Sequence, residues 1–447
     1  MNYQETLDYL YQFVHQSHQS ASPGQNLERT AALLDLLGRP QRAVPVVVVA
    51  GTKGKGSTCA MVEAICRAAG LRVGLWTSPH LHSYRERIQV NRVLISEQEL
   101  IRRVSAIQPL VEQLGHTPTG APSTFAIGFC LALRYFADQH VDLAVIEVGL
   151  GGRYDSAAVL EPLVSVITSI SYDHMDILGD TLTQIASDKA GILKPAVPGI
   201  TTRQEPEAMQ AIARVASAIG AALYVVNLHA SDSLPAAAIP FEPCADYAEQ
   251  PQPALAGSFQ RENACLAIGT VQLLGQHGLD ISTTAIETGL KTVRWPARFE
   301  EIPGQPDIVI DGAHNGDSTM RLLEALDERY PGRPITLVFG TSRNKDLERM
   351  LEALAPRIQH WVITRSTHPR AMGDLSGLRQ HILARIQAAQ GQAKVPVLIE
   401  PEPDQALALA CDLAAKQALP GVVCVTGSLF VAAAAREALG LAEQRDP

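Results

Sequence analysis

The stretch Val46-Val47-Val48-Val49-Ala50-Gly51-Thr52-Lys53-Gly54-Lys55-Gly56-Ser57 decides how the chain is read. Four valines and an alanine in succession suit a strand covered on both faces, as in a parallel sheet. A turn with glycine at 51, 54 and 56 follows, then a helix-like run over residues 58–69, ended by Gly70. Strand, glycine-rich turn and helix in that order are the context a phosphate loop requires. Glycines let backbone N–H groups converge on phosphate oxygens, and the helix start adds partial positive charge. Lys55 is placed to reach the β/γ-phosphates, and the hydroxyl of Ser57 or Thr52 to approach a metal. The strict pattern G-x-x-x-x-G-K-[ST] is not met, because its first glycine falls on Val49 and Gly56 follows the lysine. The bland alternative is a surface Gly/Lys turn. Alone, the stretch indicates a nucleotide and leaves the reaction open.

Working outward, short apolar runs alternate with helix-like segments. Candidate strands are residues 44–50, 71–76, 142–148 and 163–169. A Pro-, Ala-, Ser- and acid-rich stretch over 231–253 reads as irregular or short-strand structure, and a helix-like run over 263–274 follows. A second series begins after Trp295-Pro296, with strands at 307–310, 335–339, 361–364, 395–399 and 422–426. Leucines at helical spacing mark a helix over 347–354. The alternation predicts an α/β fold. A length of 447 residues exceeds the roughly 250–300 at which one core stops growing. Two domains are therefore expected, 1–295 and a smaller 296–447.

A 46% hydrophobic and 19% charged composition is that of a globular protein. The net charge of −9 disfavours non-specific nucleic-acid binding. Seven scattered cysteines without a C-x-x-C pair argue against a disulfide framework or structural zinc. No signal peptide is visible, and no apolar run approaches the roughly 18 residues of a membrane span. The expectation is a cytoplasmic protein with no membrane and no nucleic-acid partner.

Further polar sets follow the apolar runs, at the strand ends where open α/β sheets bind ligands. Thr77-Ser78-Pro79-His80 follows one run, and Glu147 breaks another, with Gly149-Leu150-Gly151-Gly152-Arg153 next. Asp173-His174 and Asp188-Lys189 come later. A carboxylate in an apolar strand is costly unless paired or metal-bound, and magnesium takes oxygen ligands together with substrate phosphates. Glu147 with Ser78 suits that role, and His174 a second cation or a phosphate; the alternatives are a Glu147–Arg153 pair and an ordinary loop histidine.

In order, the motifs are 51–57, Thr77-Ser78-Pro79-His80-Leu81, Glu147 to Arg153, Asp173-His174, Lys189-Ala190-Gly191-Ile192 and Asp311-Gly312-Ala313-His314-Asn315. Together they resemble the folylpolyglutamate synthase/dihydrofolate synthase branch of the Mur ligase superfamily, from about Leu27 to Ser428. The resemblance implies a P-loop ATPase domain with a parallel sheet, a smaller Rossmann-like C-terminal domain that supplies the glutamate ligase function, and ATP bound between them. It implies an ATP-dependent amide ligase that joins L-glutamate to a pteroate or folate carboxylate through an acyl phosphate, releasing ADP and phosphate. Nucleotide binding falls to Gly51, Thr52, Lys53, Gly54, Lys55, Gly56, Ser57, Asn263, Arg298, Asp311 and His314. Two Mg2+ ions are implied, with Ser78 and Glu147 at the first and His174 at the second; Ser57 and a carbamylated Lys189 are implied as further metal ligands. The catalytic set is Lys55, Glu147, His174 and Lys189. Thr124, Phe125, Tyr154, Asp155 and Ser156 are implied at the dihydropteroate or reduced-folate site. A monomer is implied.

One departure falls in the phosphate loop and the others outside it. Lys53 stands where asparagine is usual, Ala126 for glutamate, Ala158 for asparagine, Phe259 for histidine, Gly316 for proline and Asn344 for aspartate. Three other readings compete: the same chemistry on a non-folate acid, a non-catalytic nucleotide-binding relative, and a small-molecule kinase. The second requires damage at Lys55, Glu147, His174 or Lys189, and all four are present.

Overall fold

The computed structural model describes residues 1–14, 24–226, 234–243, 252–343, 346–391, 395–442 and 444–446. The chain divides into two compact units, residues 1–254 with 261–293, and residues 255–260 with 294–446. Asn344 and much of 231–253 lie outside the described residues.

The first unit is built on nine strands: β1 (Val46–Ala50), β2 (Val73–Trp76), β3 (Ile88–Val90), β4 (Val93–Leu94), β5 (Leu143–Glu147), β6 (Val164–Ile167), β7 (Gly199–Thr202), β8 (Leu223–Val226) and β9 (Ala238–Phe241). Their order is β4-β3-β2-β5-β1-β6-β7-β8-β9. From β2 through β9 neighbours run parallel, while β3 and β4 add an antiparallel edge. β1 lies inside the sheet, flanked by β5 and β6, with all five residues buried. Its pattern follows from the two-residue period of a strand. Val46, Val48 and Ala50 join the cluster formed by Leu10, Leu33, Ile107 and Phe129 of the N-terminal helices, leaving Val47 and Val49 for the opposite face. The helix Lys55–Ala68 packs along β1, β2 and β5, and Gly289 of the helix Thr283–Thr292 lets that helix approach the backbone at Ile65.

The second unit carries β10 (Glu300–Ile302), β11 (Asp307–Ile310), β12 (Ile335–Phe339), β13 (His360–Ile363), β14 (Val397–Ile399) and β15 (Val422–Thr426). The order is β10-β11-β15-β12-β13-β14, parallel except for β10. Leu337, Phe339 and Trp361 centre its core, with Phe339 and Trp361 edge to face at 5.8 Å. The α/β architecture agrees with the alternation in the sequence. The apolar runs did not disclose β3, β4, β7, β8 or β10, whereas β9 falls in the stretch 231–253 read as irregular or short-strand; β10 is exposed enough to hold Glu300 and Glu301. Among the described residues no helix is long and apolar enough to cross a membrane. The described cysteines 59, 66, 130, 265, 411 and 424 are free thiols.

Candidate active site

The loop after β1 is shaped by its glycines. Gly51 has φ 147° and Gly54 φ 87°, both in the region that favours glycine. A Cβ at Gly51 would collide with the Thr168 hydroxyl, and one at Gly54 with the Asn263 side-chain oxygen. The helix then starts at Lys55, three residues before the sequence reading placed it. Gly54 supplies no side chain to cap its first turn. An uncapped helix start after a buried parallel strand is a ready anion site.

Two lysines meet over this loop. Lys55 donates from Nζ to the carbonyls of Gly51 and Thr52 at 3.2 and 3.5 Å. Lys189, buried at the end of the helix Leu182–Lys189, donates to the same Gly51 carbonyl at 2.9 Å. Burial, with Lys55 and Lys53 nearby, lowers the Lys189 ammonium to about 7, opposed by Asp173 and Asp188.

The flanking strands bring the acid and the imidazole. Val49 of β1 is registered with Glu147 of β5 on one side and Val166 of β6 on the other. Glu147 is buried and accepts from the Ser78 N–H at 3.0 Å, so those two residues adjoin as expected. Burial raises the Cys59 thiol, with Glu147 adding to the rise and Lys55 opposing it, so both charges act on one point behind the loop. On the other side Thr52 and Lys53 donate their N–H groups to the Ser169 carbonyl at 2.9 and 3.1 Å. The Thr52 hydroxyl bonds the Ser171 carbonyl and N–H, each at 3.1 Å, which engages it in the loop itself. Lys53 pairs with Asp173 at 3.2 Å, and His174 follows, its side chain half exposed. The phosphate loop, the acid and the imidazole thus share one end of the sheet.

The acceptor residues divide into two kinds. Thr124 donates to the Leu10 carbonyl at 2.5 Å, and the Ser156 hydroxyl meets Thr30 at 3.0 Å. Asp155 accepts from the N–H groups of Gly149, Leu150 and Ala157 at 3.1, 3.2 and 2.9 Å. Burial pushes its carboxyl up to about 6. These three polar groups shape the loops that carry them. Phe125 lies edge to face with Trp76 at 5.5 Å beneath Gly149, and Tyr154 is exposed. Ala126 and Ala158 are both buried.

In the second unit Asp311 accepts from the N–H groups of Phe299 and Ala313, both at 2.8 Å, beside Arg298. Burial raises its carboxyl, and Arg298 counteracts. Nδ1 of His314 meets the Gly312 carbonyl at 2.9 Å. Phe259 packs under the Arg321 guanidinium, 5.9 Å from its ring centre. Asn263 stands in the first unit beside Gly54.

Sequence reading missed Glu86, which accepts from the N–H groups of Leu81, His82 and Ser83 at 2.7, 2.8 and 2.9 Å and so shapes the loop after Ser78. The signal was present, since Ser83-x-x-Glu86 is a capping box. It also missed Gln204, which holds Ile170 N–H at 2.9 Å and the Thr168 carbonyl at 3.0 Å; nothing local marks that glutamine.

Two domain matches define the class. The Mur ligase middle domain matches residues 49–271, and the Mur ligase glutamate ligase domain matches residues 297–429, which makes the chain an ATP-dependent ligase of the Mur type. Among curated relatives, the dihydrofolate synthase/folylpolyglutamate synthase of Bacillus subtilis (strain 168) is 39% identical over 68% of this chain and 72% of its own. A Mycobacterium tuberculosis folylpolyglutamate synthase, solved with ADP and AMPPCP, superposes with a TM-score of 0.82 at 31% identity, covering 99% of this chain and 100% of that one. Escherichia coli FolC, solved with DHPP and ADP, gives a TM-score of 0.80 at 26% identity and 99% coverage of both chains. The chain belongs to the folylpolyglutamate synthase/dihydrofolate synthase family of the Mur ligase superfamily.

Proposed function

We propose that Lys55, Glu147, His174 and Lys189 carry out the ligase chemistry at the loop after β1. The chain is an ATP-dependent ligase that joins glutamate to a folate-type carboxylate. The observation that carries the assignment of residues is the Gly51 carbonyl. Lys55 and Lys189 both bond it, while Glu147 and Asp173-His174 border the same loop.

A carboxylate oxygen of the acid attacks the γ-phosphorus of ATP, the bond to ADP breaks, and an acyl phosphate forms. Lys55 and the first-turn N–H groups of the helix Lys55–Ala68 offset the charge that spreads over the transferring oxygens. The glutamate amine then attacks the acyl carbon and loses a proton; the bond from that carbon to the phosphate oxygen breaks, and phosphate leaves with the oxygen and the electron pair. Phe125 and Tyr154 present rings to the acid, and Thr124, Asp155 and Ser156 keep the loops in shape. Asn263 serves the nucleotide at the phosphate loop, beside Gly54; within the second unit Arg298, Asp311 and His314 form a polar set of their own, in which Asp311 positions the Arg298 loop through Phe299 and Ala313. The divisions 1–295 and 296–447 serve as ATP-binding and glutamate ligase domains of a cytoplasmic monomer.

The donor set fits magnesium. Ser78 and Glu147 would hold one ion and His174 a second, with Ser57 and Lys189, the lysine as a carbamate, as further ligands. Among the described residues no three His, Cys, Asp or Glu side chains gather, and magnesium, which is commonly held by one or two carboxylates, would take its other ligands from substrate phosphates and water. Bound magnesium neutralises charge on the phosphoryl group. A Lys189 amine near neutrality at pH 7 is the form that adds CO2.

The test is ADP release by the chain with ATP, Mg2+, L-glutamate and either dihydropteroate or tetrahydrofolate, with mass spectrometry of the product. Glutamate-dependent ADP and a new amide are expected. ADP independent of glutamate with both pterins overturns the folate assignment, and a phosphorylated acid without amide indicates a kinase.

A further inference from the structure

Lys53 has so far been counted only as part of a phosphate loop, yet its side chain is directed elsewhere. Nζ lies 3.2 Å from Oδ2 of Asp173, with the two side chains 13% and 22% exposed. The other oxygen of the same carboxylate, Oδ1, accepts the His174 N–H at 3.1 Å. Asp173 therefore bridges the phosphate loop to the backbone of His174. That backbone needs holding, because His174 has φ 50°, a left-handed conformation uncommon for a residue with a Cβ. Ser169 and Ser171 also stitch the two loops together. The ion pair carries the stitching two residues further, to the point where the imidazole departs.

We infer that Lys53 is a positioning residue, whose ion pair with Asp173 ties the segment bearing His174 to the phosphate loop so that the two are set as one unit. The inference rests on the assignment of His174 to the reaction centre. A part-buried pair gains more than a surface pair because it is less screened and its partners have less freedom to lose. Its role is exerted through Asp173 and His174.

The experiment compares the wild-type chain with Lys53→Met, Asp173→Asn, the double variant and Lys53→Arg. Hydrogen exchange of residues 172–178 is expected to quicken about tenfold in Lys53→Met, with the thermal midpoint held and the rate restored in Lys53→Arg. Turnover is expected to fall about tenfold while the affinity for ADP moves less than about threefold. The double variant is expected to lose no more than the worse single variant. Unchanged exchange in Lys53→Met overturns the inference whatever the turnover, and so does additive loss in the double variant. Faster exchange with full turnover overturns the link to catalysis. Wild-type turnover with glutamate and a pterin, measured alongside, reports separately on the ligase assignment.

Discussion

Two strand-to-helix junctions in this chain have the same outline and opposite endings. β1 runs into the helix Lys55–Ala68, and β11 runs into the helix Gly316–Arg329. The first helix begins after a left-handed glycine with no side-chain cap. The second begins with a full capping box, in which Asn315 accepts from the Ser318 N–H at 3.0 Å and Ser318 reaches back to the Asn315 N–H at 3.2 Å. Close by in the second unit, Asp311 gives both oxygens to backbone N–H groups. The junction in the first unit leaves donors turned outward for an anion, and the junction in the second closes on itself. An uncapped helix end is a cost in stability that only a bound ligand returns.

Removing the charge at the open junction has the largest expected effect. Lys55→Ala is expected to cut turnover by at least ~10²–10³-fold, by analogy with loss of one charge-stabilising donor. Steady-state ADP release measures it, and near-normal turnover removes Lys55 from the chemistry. Next comes Gly54→Ala, which forces a Cβ against the Asn263 oxygen at φ 87°. A left-handed alanine costs about 1–2 kcal/mol, so ADP affinity is expected to weaken roughly tenfold in a titration. Unaltered affinity means that the turn is free to rearrange and that its openness is not built in.

The third prediction concerns pH. The folded-state value of Lys189 is about 7, below its ordinary value of 10.5. Between those values the unfolded chain holds a proton that the folded chain lacks. Stability therefore rises with pH across that window, with a slope approaching about 1.4 kcal/mol per unit for this one group. Denaturation of the wild type in CO2-free buffer between pH 7 and 9 is expected to show that rise relative to Lys189→Met. Parallel curves for the two proteins mean that the ammonium stays charged in the fold. The smallest effect belongs to the closed junction: Asn315→Ala is expected to cost about 1 kcal/mol in chemical denaturation. A larger loss of ADP affinity than of stability reverses the contrast drawn above.

The junctions also differ in how they could be read. The open one announced itself, because glycine spacing and an apolar run are local patterns with a local cause. Several strands were legible for the same reason, and β11, β12 and β15 begin and end where the apolar runs do. The short strands β3 and β4 were not, since two or three residues give too few alternations to show a period. The site was legible as residue types and roles suggested by resemblance, but not as engaged or available groups. The internal partners of Thr124, Asp155 and Ser156, which are Leu10, backbone N–H groups and Thr30, could not be read from the sequence. The Ser83–Glu86 box lay in plain view within four residues.

By itself the sequence determined that a nucleotide-type turn follows a fully buried strand, since φ-permissive glycines and an apolar run act within a dozen residues. Only the tertiary structure decided which distant groups stand over that turn. Lys189 lies 138 positions from the Gly51 carbonyl it bonds, and Asp173 lies 120 from Lys53. Those meetings follow from β5 and β6 flanking β1 in the sheet, an order set by packing of whole elements and absent from the spacing of residues along the chain.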